Sequence, residues 1–378
     1  MNVSVVETLS EVAVEQWDRL AGANPFMRHG FLYALEVTDC LGPQGWYPYY
    51  ILIRRNERLV AALAVYARDN SYGEFVFDWS WADAYERAGG RYYPKLVTAV
   101  PFSPVVGPRL LIDESAADPQ TLAQHLIAAA IEICEQNELS SWHCLFPEES
   151  ELDYFDAAGL ARRLGCQYQW FNDDYQSFDD FLSQLSSKKR KEIRRERRKV
   201  NEQGVAIEAL TADDIKPHHW EVFYRYYCAT FHRKWGEPRF TLEFFKTLND
   251  HLPGSAVLIL ASHDEEYVAG AFALRDESTL YGRHWGCSSY FDNLHFELCY
   301  YQTIDFCITH GLKRLDAGVQ GEHKLARGFV PVKTWSAHWI RDERFRQAID
   351  SFVLQEQRSM QSYIESLDGH TAFKRGQG

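Results

Sequence analysis

The sequence predicts an α/β (α+β) protein made of two copies of one unit joined by a basic helix. Three observations lead there. At 378 residues the chain is too long for one ordinary domain and natural for two. The first half runs through a hairpin, then helix, strand, helix, strand. The second runs through strands, helix, strand, short helical loop and strand, with no sequence identity between the two. Between them lies KKRKEIRRERRK at 188–199, with nine basic and two acidic residues.

The apolar fraction of 46% gives each half enough for a proper core. A formal net charge of −13 argues against a protein that coats nucleic acid or anionic membrane. The basic run is therefore a directing field on an acidic body. Eight cysteines occur, and no two have CxxC spacing. This excludes a zinc module and a disulfide framework and fits reduced, buried thiols. No metal is expected. The N-terminus shows no basic region ahead of an apolar run, and no stretch approaches the ~20 apolar residues of a membrane span. The expectation is a cytoplasmic protein with no membrane span.

Taken in order, 3–6 is a short strand and a helix begins near Val12. After Asn24-Pro25, Phe31, Ala34, Leu35 and Thr38 have helical spacing, ended by Gly42-Pro43. Segments 49–55 and 58–68 flank Asn56-Glu57 as a β-hairpin. The stretch 77–95, FDWSWADAYERAGGRYYPK, reads as a loop with one short helix. It is either an aromatic cap on the first domain or a wall for an acceptor, since stacked rings plus charges suit sugars and peptides. The residues of that wall are Asp78, Trp79, Trp81, Asp83, Arg91, Tyr92 and Lys95. A strand is expected at 105–112. Asp118-Pro119 starts a helix to about Asn137, with the aspartate as N-cap and proline in the first helical position. Strand 141–146, helix 150–164 and strand 166–172 close the first half.

Asp179 or Asp180 can cap the helix that carries the cations. Leu182, Leu185, Lys189, Ile193, Glu196 and Val200 fall on one stripe at helical spacing. One narrow edge then packs while the cations fan out over the rest. A solvated face is one reading. The other is a seat for phosphate or RNA on Lys188, Arg190, Lys191, Arg194 and Arg195, because two anions cannot relieve the repulsion among nine cations. Strand 205–210, helices within 213–251, and strands 256–262, 267–275 and 279–287 follow. Helix 294–311, strand 313–317, strand 334–340 and a terminal helix from Asp342 to about Leu367 complete the chain.

The loop GVQGEHKLARGF at 318–329 sets Gln320, Glu322, His323, Lys324 and Arg327 where the strand 313–317 runs out. In open α/β sheets ligands bind beyond the carboxyl ends of the strands. A glycine-flanked acid, imidazole and two cations at such a place form a site candidate. The neighbouring strand adds Tyr281, Arg283, His284 and Trp285. A solvated loop with surface ion pairs is the competing reading.

In these stretches the chain resembles the FemAB-like acyltransferases, in their peptidoglycan biosynthesis/recognition branch. The matching segments are FVFDWSWADAYERAGGRYYPKLVTAVPFSPVVGPRLL, SSKKRKEIRRERRKV, LYGRHWGC, LHFELCYYQTIDFCITHGL and AGVQGEHKLARGFVPV, which cover nearly the whole chain. The resemblance implies two tandem acyl-CoA N-acyltransferase-type (GNAT) domains with mixed, mostly antiparallel sheets flanked by helices. The expected division is 1–175 and 205–345, with a connecting helix at 176–204 and a terminal helix and tail at 346–378.

It further implies transfer of an aminoacyl group from charged tRNA, or of an acyl group from a coenzyme A-type thioester, to an amine. The acceptor would be a small amine or a peptidoglycan precursor, with no tightly bound cofactor and no DNA partner. Such chemistry needs a base for the attacking ammonium, donors for the oxyanion and an acid for the leaving group. Glu322, His323 and His284 are the acid/base candidates. Lys324, Arg327 and Arg283 can hold an oxyanion, phosphate or carboxylate, and Tyr281 and Tyr301 can donate a proton. Gln320 and Trp285 complete the substrate-binding set. Glu297 either binds the incoming amine or complements its helix dipole.

One departure stands out. Acyl-CoA enzymes of this fold hold the pyrophosphate on a glycine-rich turn at a helix start, and the corresponding SSYFDNLHFE contains no glycine. That disfavours ordinary acetyl-CoA binding and favours a donor held by side chains. A recognition protein that binds a sugar-peptide or RNA without turnover is the alternative.

Overall fold

The computed structural model describes residues 1–233, 236–318, 321–367, 369 and 371–374. The chain divides into two compact units, Met1–Cys166 with Lys333–Tyr363, and Gln167–Val332 with Ile364–Gly378.

The first unit is a mostly antiparallel sheet in the order Asn2–Val6, Trp46–Arg55, Arg58–Arg68, Lys95–Thr98, Ser141–Leu145, Val330–Ile340. Lys95–Thr98 and Ser141–Leu145 make its parallel pair. The second unit repeats the pattern as Ala206–Thr211, Ala256–His263, Glu266–Arg275, Thr279–Cys287, Arg314–Asp316 and the part of Ala161–Phe171 from Gln167 onward. Here Thr279–Cys287 and Arg314–Asp316 are parallel. Each unit is thus a meander, one parallel pair and a final antiparallel strand, flanked by helices.

That final strand follows an exchange. Ala161–Phe171 comes after the first unit's strands in sequence yet pairs with Arg314–Asp316. Val330–Ile340 comes after the second unit's strands yet pairs with Ser141–Leu145. The linear division 1–175 and 205–345 is therefore crossed twice. The basic helix Ser187–Glu202 lies inside the second unit, and most of the terminal helix Glu343–Leu367 goes with the first.

Most expected elements form. In the hairpin, Asn56 and Glu57 take left-handed φ of 50° and 64°, the twist a two-residue turn needs. Four expectations are corrected. Of 105–112 only Leu111–Ile112 is strand. Helix 150–164 contracts to Leu152–Ala157, because Gly159 at φ 78° ends it and strand begins at Ala161. Asp118 makes no cap bond, since its carboxylate is taken by Arg55 at 2.8 Å. The helix before the basic run is capped by Ser177, not Asp179 or Asp180, and stops at Gln184. Leu185 is extended there, so two helices stand where one is expected.

The first unit buries a charged network beneath the helix Trp79–Arg87. Lys95 Nζ donates to Ser71 Oγ (2.7 Å), Glu74 Oε2 (2.7 Å) and Asp78 Oδ2 (2.5 Å). Arg68 Nε donates to Glu74 at 3.3 Å. Tyr92 gives its hydroxyl hydrogen to Asp78 Oδ2 at 2.6 Å, and His143 Nε2 lies 2.8 Å from Ser141 Oγ and 3.1 Å from the Tyr92 hydroxyl. His143 Nδ1 and His338 Nδ1 share one hydrogen at 2.7 Å, so the two rings take opposite tautomers, and His338 Nε2 pairs with the Ser336 hydroxyl at 2.8 Å. Burial of both imidazoles depresses their pKa values, that of His143 to about 3. Against the same penalty, Lys95 holds Asp78 ionised well below the usual carboxylate range.

Both histidines titrate near 6.5 once unfolded. As pH falls from about 6.5 toward 4, the unfolded chain takes up protons that the folded chain refuses. Stability of this unit is therefore expected to drop by about 1.4 kcal/mol per pH unit for each histidine. Urea melts between pH 7.5 and 4.5 read that slope, and His338→Asn should remove one histidine's share of it.

Candidate functional site

In the second unit the parallel pairing of Thr279–Cys287 with Arg314–Asp316 ends at Tyr281 and Asp316. Asp316, 2% exposed, accepts from Gly318 N (2.9 Å) and Arg283 (3.4 Å) at Oδ1. The chain returns as a 3₁₀ turn, Glu322–Arg327, between Gly321 at φ 104° and Gly328 at φ 87°. A Cβ on Gly321 would lie 2.2 Å from the His323 ring, so glycine is required twice over. Lys324 turns inward, 2% exposed, with its amine on the carbonyls of Ala317 (2.5 Å) and Gly318 (3.1 Å). Burial lowers its pKa to about 8; Asp316 opposes that fall and Arg283 adds to it.

Facing the turn is the helix 294–309, interrupted by a π segment, Glu297–Tyr301. The wider turn changes which side chains share a face. Tyr300 OH lies 2.9 Å from His323 Nε2. Burial lowers the His323 pKa, aided by Arg327 and Lys324, so the imidazole is neutral at pH 7. Tyr301 OH accepts from Arg327 Nε at 2.9 Å and donates to Glu196. Arg327 also holds both Glu196 oxygens (3.0 and 3.1 Å), donates to His323 O at 2.9 Å, and stacks 3.6 Å over Phe296. Glu297 is buried, its Oε1 on Arg197 (3.1 Å) and Gln302 (2.8 Å). Its Oε2 has no hydrogen-bond partner among the described residues, and burial raises its pKa.

The basic helix Ser187–Glu202 has two unlike faces. Ile193, Glu196 and Val200 are buried, as the stripe predicts. Arg197 pairs with Glu297 and Asp305, Arg194 with Asp179 at 2.8 Å, and Arg190 reaches the Ser183 and Leu185 carbonyls at 3.3 Å. Lys188, Lys191 and Arg195 are exposed and make no hydrogen bond or ion pair with a described residue. At i, i+3 and i+7 they form one outward row. A hollow of about 340 Å³ beside the helix is lined by Ser177, Phe178, Asp179, Leu182, Arg194 and Arg197. Its guanidinium groups already face carboxylates, so the outward row is the better anion seat.

The structure therefore gathers His323, Lys324, Arg327, Tyr301, Glu297 and the basic helix. Glu322 is exposed on the same turn, and Gln320 lies outside the described residues. Other candidates fall elsewhere. Tyr281 OH donates to Asp276 at 2.9 Å. His284 is half-buried as a residue, its ring packed among Tyr227, Phe240 and Phe272 and its pKa pushed down to about 3 by desolvation, which makes it a packing residue. Trp285 is half-buried, 5.2 Å from the His295 ring. In the first unit Asp78, Trp81, Tyr92 and Lys95 belong to the buried network and core, whereas Trp79, Asp83 and Arg91 are exposed.

Sequence reasoning passed over Tyr300, Asp316 and the role of Glu196. Glu196 left a signal: an acid on the packed stripe of a basic helix demands a buried cation. Tyr300 left none, because a regular helix would turn it away from its π-segment position.

The two units together define a tandem acetyltransferase-type (GNAT) fold. FemX aligns over 93% of this chain and 100% of its own, at 12% identity and a TM-score of 0.58. A tandem GNAT protein from the clavulanic acid biosynthesis pathway covers 90% of this chain and 98% of its own, at 12% and 0.50. The C-terminal domain of a putative lysylphosphatidylglycerol synthetase from Agrobacterium fabrum covers 90% and 96%, at 10% and 0.53. At such identities these likenesses show the fold. No curated protein gives a significant match. The model of the FemAB-like family, described as peptidoglycan biosynthesis/recognition, matches residues 8–375, and the chain belongs to that family. Among the described residues no helix is long and apolar enough to cross a membrane.

Gly321→Ala should cost about 1–3 kcal/mol from the left-handed backbone and push His323 off Tyr300. Urea denaturation reads the first effect, and the His323 imidazole NMR signals read the second.

Proposed function

We propose that this protein is a cytoplasmic N-acyltransferase of the FemAB-like type, joining an acyl or aminoacyl group to an amine with amide-bond formation. The observation that carries this reading is one short turn at the carboxyl end of a parallel strand pair, which sets His323 on Tyr300, Arg327 on Tyr301 and the Lys324 amine on the Ala317 and Gly318 carbonyls. The acceptor amine attacks the donor's carbonyl carbon, and the ester or thioester bond breaks as the amide forms. Neutral His323 takes the proton from the attacking nitrogen and passes it to the departing oxygen or sulfur. Lys324, cationic below about pH 8, stabilises the developing oxyanion. Exposed Glu322 attracts the ammonium of the acceptor.

The donor is an aminoacyl-tRNA or an acyl thioester, its phosphates held by the row Lys188, Lys191 and Arg195. The glycine-free helix start, where Asn293 takes a left-handed φ of 66°, favours such side-chain capture. The acceptor is a peptidoglycan precursor or another amine-bearing small molecule, to which Trp79, Asp83 and Arg91 offer an exposed ring and charges.

Incubation with charged tRNA and a panel of acyl thioesters, followed by mass spectrometry, should show donor loss and an amide product. Lys324→Ala should lower kcat by about 10²–10³, as for other oxyanion donors, and Glu322→Gln should abolish product without unfolding. The wild-type rate should fall as pH rises through about 8, where Lys324 loses its charge. Intact ligand binding with no product from any donor would instead mark a recognition protein.

Charge reversal at Lys188 and Lys191 should raise the donor's KM and flatten its dependence on salt, by about 0.7–0.9 log units per lost phosphate contact for each log unit of salt. Unchanged donor kinetics would remove the phosphate assignment.

A further inference from the structure

The acid in the middle of the basic helix stands apart from its neighbours. Glu196 is 7% exposed and receives three hydrogen bonds, two from the Arg327 guanidinium and one from Tyr301. Arg327 closes the ring by donating to Tyr301 OH, and its remaining fork holds His323 O at 2.9 Å. The next residue, Arg197, holds Glu297 of the π segment. Two successive residues of one helix therefore hold both segments that carry the candidate chemistry, while the opposite face presents Lys188, Lys191 and Arg195.

We propose that Glu196 is a positioning residue: through Arg327 it sets the 322–327 turn, and so His323 and Lys324, in fixed register with the helix that receives the donor. This rests on the reading that His323 and Lys324 act on the substrate. A buried guanidinium that loses its carboxylate must find water or move. Either response slackens the turn, releases His323 O and opens the Lys324 amine to solvent. The lowered pKa of Lys324 depends on that burial, so its reactivity reports the state of the turn.

The test is competitive acetylation of the intact protein by acetic anhydride across pH 6–11, with each lysine quantified by mass spectrometry. In the wild type Lys324 should react slowly, with a midpoint near pH 8. In Glu196→Gln it should react about tenfold faster, as local opening is eased, with its midpoint moving toward the ordinary lysine value of about 10.4. Glu196→Asp should restore part of the protection, and Tyr301→Phe, which removes the bridging hydroxyl, should give a smaller change in the same direction. Buried Lys95 of the first unit is the reference for an intact fold and should not change.

Unaltered Lys324 reactivity in both Glu196→Gln and Tyr301→Phe would overturn the proposal. If Glu196→Gln exposes Lys95 as well, Tyr301→Phe decides. No donor or acceptor is needed, so this result stands or falls apart from the transferase assay: loosening without any transfer activity sinks the function and keeps the positioning role.

Discussion

A carboxylate buried on the packed edge of a cationic helix holds the second unit's candidate site together. Removing both Glu196 and Arg327 from water costs several kcal/mol per ion before their attraction is counted. The Arg327 Nη2 shared by both carboxylate oxygens, the Tyr301 hydroxyl and the Phe296 ring beneath the guanidinium offset that cost. An apolar pair of similar volume would pack at least as stably, but it would not specify one orientation. What the charged ring supplies is register: the turn's backbone is anchored at His323 O, and Lys324 is left facing the end of the strand.

The first unit solves a similar problem without leaving its charges near solvent. Arg68, Glu74, Lys95 and Asp78 neutralise one another, and the hydroxyl of Tyr92 passes the polarity on to two neutral imidazoles. The two imidazoles meet Nδ1 to Nδ1 at 2.7 Å, so only one of those nitrogens carries a hydrogen. His143 and His338 must then take opposite tautomers. This network pins the start of the helix Trp79–Arg87 to the sheet through Asp78 Oδ2, so the residues that look in sequence like a binding wall are mostly ties beneath it. Only the ring of Trp79 and its charged neighbours face outward. The two units thus share a strand pattern and diverge in what they do with polar side chains at its centre.

Much of this was legible beforehand. The outward row on the basic helix follows from nine cations at helical spacing against two anions, and its packed edge from Ile193 and Val200. The placement of 318–329 at a strand's carboxyl end follows from the short strand 313–317 stopping at Gly318. His284 misled because an imidazole beside an arginine looks reactive in sequence, whereas Tyr227, Phe240 and Phe272 enclose it. Asp118 misled because a cap bond and an ion pair compete for one carboxylate, and Arg55 across the sheet won.

By itself the sequence determined the periodicities: most of the strand and helix segments, where the cations lie, and that acid, imidazole and amine share one short turn. These are local consequences of side-chain spacing and backbone preference. Only the tertiary structure decided the exchange of final strands, the π segment that brings Tyr300 to His323, and the pairing of Glu196 with Arg327. Those depend on which distant groups share a low-dielectric interior, where a charge must find its partner whatever the separation along the chain.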